Sequence, residues 1–386
     1  MEILIIIPSF YPAQIYGGPV FTSFYTCNEL FKIGVKFKVV TTNANGCSKL
    51  KVDQNKFIYK YGYPVKYFNE TIIGKLSLDL LFGIRKDIKK ANIIHIQGLF
   101  SVPTPVSLIL AKTFKKKVLL TPHGSLGHWS INQKIFIKKL WLWIFIKPYA
   151  KFITWHATST QEKRDIEKNF PGAKVEMIPN GIYLEEFLKF ETFSREDYIY
   201  KFTGLKKVVS HIVISVGRIQ KVKGFDILIK SFKLVLKEFP DAYLLIAGED
   251  EGELGNLNKI VFENNLIQRI TFTGMISGRE KINFFANADV FVLPSHSENF
   301  GLVYAEALAA GTPIIASINT PWQEVEESGC GRWIPNTVHE TANAIIDILN
   351  RDPELLRKNA LKYIQKFEWK NIALSFKKLY ESYDVI

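Results

Sequence analysis

Glu298 and Glu306 stand eight residues apart in "SHSENFGLVYAEALAAGTP" (Ser295–Pro313), a run otherwise rich in apolar residues. An ionised carboxylate in such surroundings is costly unless it is paired or well hydrogen-bonded, so each needs a partner. The preceding "DVFVLPS" reads as a strand, and "LVYAEALAAG" reads as a helix ended by Gly311 and Pro313. Glu298 then lies in the loop ahead of the helix. Glu306 lies roughly two turns inside it, leaning into a packed layer. The first amides, those of Phe300, Gly301 and Leu302, have no partner within the helix and form an anion site. A carboxylate beside them can accept hydrogen bonds from a vicinal diol, and a sugar on one side with a ribose on the other would give both glutamates partners. A helix-capping glutamate plus a salt-bridged one is the plainer account of the same spacing.

Two further stretches suit a phosphate. In "ISVGRIQKVKGFDILIKSF" (Ile214–Phe232), Arg218 ends a strand and Lys223 follows in the loop to the next helix. An Arg fork and a Lys point charge converging there match a pyrophosphate, although solvated lysines in the same loop would need no special account. In "PSFYPAQIYGGPV", Gly17 and Gly18 precede a helix beginning near Pro19. Paired glycines at a helix start let backbone amides approach a phosphate; a simple tight turn explains them as well. The spacing is not G-x-G-x-x-G, so a dinucleotide cofactor is not supported.

Residues at strand ends need sheets to hold them. Short β-branched runs alternate with longer amphipathic segments from end to end, the signature of parallel sheets built from βαβ units. In the first half the strands are "EILIIIP", "KFKVVTT", "NIIHIQG", "KVLLTPHG", "FITWHATS" and "KVEMIPNG", with helices over 21–33, 103–114, 132–146 and 161–169. In the second they are "HIVISVGR", "AYLLIAGE", "RITFTG", "DVFVLPS" and "TPIIAS", with helices over 225–238, 279–286 and 302–310 and through 340–367. The expected fold is α/β, with two Rossmann-like, doubly wound parallel-sheet domains facing a central cleft. The charged stretch Tyr183–Lys207 separates an N-terminal domain, 1–190, from a C-terminal domain, 205–368. A last amphipathic helix, 369–386, follows the second sheet.

Bulk properties narrow the class. The 386 residues suggest about two domains, and 47% hydrophobic content is globular. Three cysteines, Cys27, Cys47 and Cys330, show no metal-ligand spacing and fit a reducing cytoplasm. The opening "MEILIIIPSF" is stopped by Pro8 and reads as a buried strand and not a signal peptide. No apolar run is long enough to span a bilayer. The net charge of +13 sits in residues 1–200, with 28 Lys/Arg against 15 Asp/Glu; residues 201–386 balance at 22 and 22. Within Ile88–Gln161 there are eleven lysines and no acidic residue. That is either a solvated lysine-rich surface or a basic face toward an anionic partner, membrane or nucleic acid. The segment "KIFIKKLWLWIFIKPYAK" (Lys134–Lys151) mixes aromatics and lysines as an interfacial helix does. Its lysines spread around the helix, which leaves a partly buried core helix as a competitor.

Taken together, "ENFGLVYAE" with its E-x7-E pattern, "VGRIQKVKGFDILIKSF", "YPAQIYGGP", "HGSLGHW", "IPNGI" and "TFTG" resemble glycosyltransferase family four, the retaining GT-B enzymes, over essentially the whole chain. "TPHGSLGHW" and "HATS" look most like members that build bacterial surface polysaccharides. The resemblance implies that Glu306 hydrogen-bonds the nucleotide ribose and that Glu298, with the Phe300–Leu302 amides, holds the donor sugar. It implies that Arg218 and Lys223 bind the diphosphate, helped by the Gly17–Gly18 backbone, and that His123 contacts the transferred sugar. It also implies a last helix that packs back on the first domain. Departures are visible: Asn92 and Gln97 stand where relatives often carry Asp and His, Tyr183 where an Asp is usual, and "AGEDEG" in place of a glycine-rich turn.

The implied reaction is retaining transfer of a sugar from a nucleotide diphosphate sugar, UDP or GDP, to a glycan acceptor. Arg218, Lys223 and the helix amides would stabilise charge on the departing diphosphate. No metal and no cofactor are expected. The lysine-rich stretch points to a lipid-linked acceptor and an anionic membrane surface, hence a cytoplasmic protein at the inner face of the plasma membrane serving lipopolysaccharide O-antigen or capsule assembly. The alternatives are a nucleotide-sugar epimerase of similar fold, and a non-enzymatic basic module that binds nucleic acid.

Overall fold

The computed structural model describes residues 1–71 and 77–383. The chain forms two compact units: Met1–Gly181 together with the terminal segment from Trp369, and Ile182–Glu368.

The first unit is built on an eight-stranded sheet among the described residues. Its spatial order is Lys174–Met177, Ile153–Ala157, Lys117–Thr121, Ile93–Gln97, Ile3–Ser9, Phe37–Thr42, Tyr63–Phe68, Phe57–Lys60. All neighbours are parallel except the last pair. That pair is a hairpin the sequence reading did not anticipate. Its turn uses Tyr61 and Gly62, both left-handed at φ 61° and 92°, as a two-residue hairpin turn requires. Pro64 and two lysines within it, Lys60 and Lys66, hide the alternation, and an edge position tolerates both. The central strands are nearly continuous runs of Ile, Leu and Val because both faces are covered.

The last helix, Trp369–Glu381, packs on the helix Gly18–Lys32 in this unit. Trp369 is buried, and a Cβ on Gly181 would lie 2.3 Å from its ring, so that position needs glycine. Residues 384–386 of the expected terminal helix lie outside the described residues.

The expected helix over 132–146 is broken. Lys134 is left-handed at φ 60°, which separates His128–Asn132 from Ile135–Trp141, and Leu142–Ile146 continues as a π-helix. Only Leu142 and Ile146 of this segment are buried, while Phe136, Ile137, Leu140, Trp143 and Ile144 are exposed. The segment therefore has one face on the core, as the partly buried alternative expects, and an exposed apolar face.

The second unit carries a six-stranded parallel sheet, ordered Ile270–Gly274, Tyr243–Ala247, Ile212–Val216, Val290–Leu293, Ile314–Ser317, Gly331–Ile334. The last of these, "GRWI", is also missing from the sequence reading. Its Gly331 is forced, because a Cβ there would meet the Ile314 carbonyl oxygen at 2.2 Å. The helix expected through 340–367 is two helices, Val338–Leu349 and Pro353–Ile364, divided where Pro353 cannot continue the first.

The stretch 183–207, expected as a domain boundary, belongs to this unit. Phe187, Tyr198 and Ile199 join its core, and the Tyr198 hydroxyl donates to the Phe284 carbonyl at 2.6 Å. Burying such side chains contributes roughly 1.5–3 kcal/mol each, enough to hold the segment. The Ile182 amide donates to the Phe367 carbonyl at 2.8 Å, pairing the strands of chain that enter and leave the unit.

Candidate functional site

In the second sheet, strand order reverses between Ile212–Val216 and Val290–Leu293. Loops leaving adjacent strands at such a reversal turn apart and leave a crevice at the carboxyl ends. Arg218 and Lys223 lie in the loop after the first of these strands, and Ser295 and Glu298 in the loop after the second. The two loops touch closely: a Cβ on Gly224, left-handed at φ 69°, would lie 2.2 Å from the Pro294 carbonyl oxygen.

Lys223 reaches across and forms an ion pair with Glu298. Both side chains are nearly buried, 15% and 12% exposed, and Ser295 Oγ adds a 3.2 Å hydrogen bond to the same carboxylate oxygen. Arg218 does not join them. It is 64% exposed, and its Nη1 donates to Glu251 Oε1 at 2.8 Å, in the "AGEDEG" turn.

The helix after Glu298 is Leu302–Ala309, capped by Gly301 at φ 74°. A Cβ at Gly301 would lie 2.7 Å from the Tyr304 ring. Trp322 Nε1 holds the Phe300 carbonyl at 2.7 Å, and the Tyr304 hydroxyl holds the Leu293 carbonyl at 2.6 Å. The turn is thus rigid, and the amides of Phe300, Gly301 and Leu302 donate to no group among the described residues. Glu306 sits about one turn into the helix, not two, since it is only four residues beyond the first helical residue, Leu302, where the helix was expected to begin. Its partner is one the sequence reading missed. Lys281, from the helix Gly278–Ala286, lies 2.8 Å from Oε1 and 2.6 Å from Oε2. Glu186 is close enough that burial, and then the Glu306 charge, raise its carboxyl above the ordinary range.

The first unit holds the remaining expected residues. Its strand order reverses between Ile93–Gln97 and Ile3–Ser9. Gly17, left-handed at φ 67°, and Gly18 start the helix Gly18–Lys32 with open space where a Cβ would stand. His123 follows the strand Lys117–Thr121 and is itself left-handed, at φ 54°. A non-glycine residue held there is strained, and such strain collects at functional sites. The turn is fixed by Glu162, which accepts from the Gly124 amide at 2.6 Å and from Thr158. His123 Nε2 lies 2.6 Å from the Gln97 amide. Behind Gln97 is a buried set that sequence reasoning also missed: His95, Thr121, His156 and Tyr380. Each lies at or near the carboxyl end of a strand expected to be apolar, except Tyr380 on the last helix, and that was the available signal.

Among the described residues no group of three His, Cys, Asp or Glu side chains is placed to hold a metal ion, and no helix is long and apolar enough to cross a membrane.

Comparison with known proteins places these two units. Residues 16–186 match Glycosyltransferase Family 4, and residues 199–367 match Glycosyl transferases group 1. The chain is similar to D-inositol 3-phosphate glycosyltransferase of Mycolicibacterium smegmatis, 31% identical over 207 residues, covering 52% of this chain and 46% of that protein. A glycosyltransferase of Methanocaldococcus jannaschii is 29% identical over 211 residues, 53% of each chain. This chain spans about half the length of the curated relatives it matches. Among solved structures, Anabaena HepE in complex with UDP superposes with TM-score 0.76 at 19% identity, over 99% of this chain and 100% of that one. Sucrose-phosphate synthase of Thermosynechococcus elongatus gives 0.72 at 21% identity, over 100% of both. With two parallel-sheet units of GT-B type, each matching its own glycosyltransferase profile in the expected order, the chain belongs to the family-four glycosyltransferases.

Proposed function

We propose that this protein transfers a sugar, with retention at the anomeric carbon, from a nucleotide diphosphate sugar to a lipid-linked glycan acceptor during bacterial surface-polysaccharide assembly, lipopolysaccharide O-antigen or capsule. The observation that carries the donor half is the Lys223–Glu298 pair beside the unpaired Phe300, Gly301 and Leu302 amides, at a sheet's reversal point. Lysine and amides supply positive ends to a leaving diphosphate, and Glu298 and Glu306 accept from sugar and ribose hydroxyls. Arg218 joins by turning from Glu251, a rotation its exposure permits. Gly17 and Gly18 offer a surface without side chains to a phosphate, and His123 contacts the transferred sugar. Neither glutamate is a nucleophile: the diphosphate oxygen takes the acceptor proton on the same face from which it departs. A uridine diphosphate sugar is favoured over a guanosine one by HepE, whose structures carry UDP and UDP-glucose. A thermal-shift panel of nucleotide sugars tests this, since a ligand of the folded state raises its midpoint. No shift with any UDP- or GDP-sugar would refute the donor assignment. Sugar interconversion with donor alone would point to an epimerase instead.

The acceptor half rests on the segment 134–151. Phe136, Leu140 and Trp143 recur on one side of the helix at 86%, 56% and 65% exposure, with Ile137 and Ile144 beside them. Contiguous exposed apolar surface of this kind is uncommon on a solitary protein. Lys134, Lys139, Lys147 and Lys151 are exposed around it, within the acid-free stretch. Apolar side chains entering the acyl boundary while lysines meet anionic headgroups is the interfacial pattern. The protein then works at the cytoplasmic face of the plasma membrane, where a lipid-linked acceptor is presented. Flotation with phosphatidylglycerol vesicles should carry the protein upward, and Phe136→Ser with Trp143→Ser should abolish this. Equal behaviour with and without anionic lipid, or self-association lost in the same variant, would overturn the membrane reading.

A further inference from the structure

His95, Gln97, Thr121, His156 and Tyr380 are all at most 5% exposed, yet form one continuous polar chain inside an otherwise apolar layer. Burying five polar side chains is unfavourable unless each bond is made in the right sense. Proton counting then fixes the sense of every bond.

The chain begins at the Ile178 carbonyl, which can only accept. His156 Nε2 lies 2.8 Å from it and so carries a proton. Among the described residues no carboxylate is hydrogen-bonded to His95, His123 or His156, and burial pushes all three rings well below their ordinary value; each holds a single proton. His156 Nδ1 is therefore bare and accepts the Thr121 hydroxyl proton at 2.8 Å. Thr121 has no second proton to give, so at 2.9 Å its oxygen accepts from His95 Nε2–H. His95 Nδ1 is then bare and accepts from the Tyr380 hydroxyl at 2.8 Å. The Phe376 ring packs against both imidazoles, 5.8 Å and 4.9 Å between centroids, and excludes other partners from that side.

One end of the Gln97 amide lies 3.0 Å from His95 Nε2, and the other lies 2.6 Å from His123 Nε2. The nitrogen is placed toward His95, but an amide NH2 cannot face an imidazole N–H. A half-turn of the terminal torsion exchanges the two ends without moving the rest of the side chain. The Gln97 oxygen then shares the single His95 Nε2 proton with Thr121 in a three-centre bond, 3.0 Å and 2.9 Å from that nitrogen, and the Gln97 nitrogen donates to His123.

We propose that this hydrogen-bonded chain, anchored at Ile178 and running through His156, Thr121, His95 and Gln97, holds His123 as the tautomer protonated on Nδ1. His123 then offers the transferred sugar a hydrogen-bond donor and cannot take a proton from the acceptor. Gln97 is the positioning residue, which gives a reason for glutamine at that place. The consequence for the sugar rests on the proposed function; the tautomer does not.

The two are separated by one experiment. In the full chain labelled with 15N-histidine, long-range proton–nitrogen correlations at neutral pH should show His95 and His156 protonated on Nε2 and His123 on Nδ1. Gln97→Leu should remove the His123 preference and lower kcat by roughly 10-fold to 100-fold, the range for leaving a buried hydrogen-bond partner unsatisfied, with a smaller change in KM for the donor. His123 found protonated on Nε2 in the unaltered chain overturns the proposal, whatever the variant does. A correct tautomer with transfer undiminished in His123→Ala leaves the relay standing and removes His123 from the reaction.

Discussion

Lys281 Nζ bridges both carboxylate oxygens of Glu306, at 2.8 Å and 2.6 Å, although the two residues come from different helices. The hydrogen bond is to Oε1, and the close cation restrains the carboxylate while Oε2, buried and without a hydrogen bond of its own among the described residues, keeps its lone pairs available. If these accept from ribose hydroxyls, Glu306→Gln loses a charge-assisted bond worth about 1.5–3 kcal/mol, or roughly 10-fold to 100-fold in nucleotide affinity. Lys281→Met should weaken binding by less, because the charge stays and only its aim is lost. Nucleotide titration of the single and double variants checks this. Strictly additive losses would mean that Lys281 has no part in orienting Glu306.

Arg218 and Lys223 should separate in stability while agreeing in rate. Arg218 is exposed and its bond to Glu251 lies at the surface, a kind of pair worth at most about 1 kcal/mol. Arg218→Ala should therefore unfold at nearly the same temperature yet lose roughly 100-fold or more in kcat. Lys223→Met leaves the nearly buried Glu298 unpaired, which costs about 1–3 kcal/mol as well as activity. Adding Glu298→Gln should recover part of that stability and none of the rate. An unchanged kcat/KM in either single variant would remove that residue from the diphosphate site.

Gly301 is constrained twice, by φ 74° and by the Tyr304 ring 2.7 Å from where a Cβ would stand. Gly301→Ala must tilt the turn or push Tyr304 off the Leu293 carbonyl. A stability loss of about 1–2 kcal/mol is expected from the backbone alone. Donor affinity should fall further, because the turn that presents the three amides would be displaced. Retention of wild-type donor affinity in a folded Gly301→Ala protein would show that these amides do not hold the donor.

What could be seen in the sequence follows from what is local. Runs such as "EILIIIP" and "DVFVLPS" are strands because a sheet covered on both faces selects continuous apolar residues. The places where they stop therefore show the residues at the strand ends, Arg218, Glu298 and His123 among them. The hairpin Phe57–Phe68 was hidden because an edge strand may carry Pro64 and lysines. Lys281 was hidden because its partner is 25 residues away on another helix, a relation no spacing rule encodes. The His95 chain was hidden for a different reason. Alternation marks His95 and Gln97 as sharing a face, but not that Tyr380, 285 residues from His95, completes that face.

Acid should destabilise the first unit before most carboxylates titrate. His95 and His156 are buried and neutral; burial pushes His95 well below its ordinary 6.5 and His156 to about 4. In the unfolded chain each takes a proton near pH 6.5. Between those limits the unfolded state holds more protons, so stability rises with pH. The contribution of the neutral rings is complete above about pH 6.5 and drains as pH falls toward 4. Each ring removes at most about 1.4 kcal/mol per pH unit. Urea midpoints measured from about pH 7 to pH 5, above the carboxylate range, should therefore fall steadily. His156→Gln should reduce the slope by the share of one proton, even though its own midpoint at neutral pH is lower. A flat profile across this window in the unaltered chain would mean that the rings are protonated when folded. The single-proton count that orients Gln97 would then fail as well.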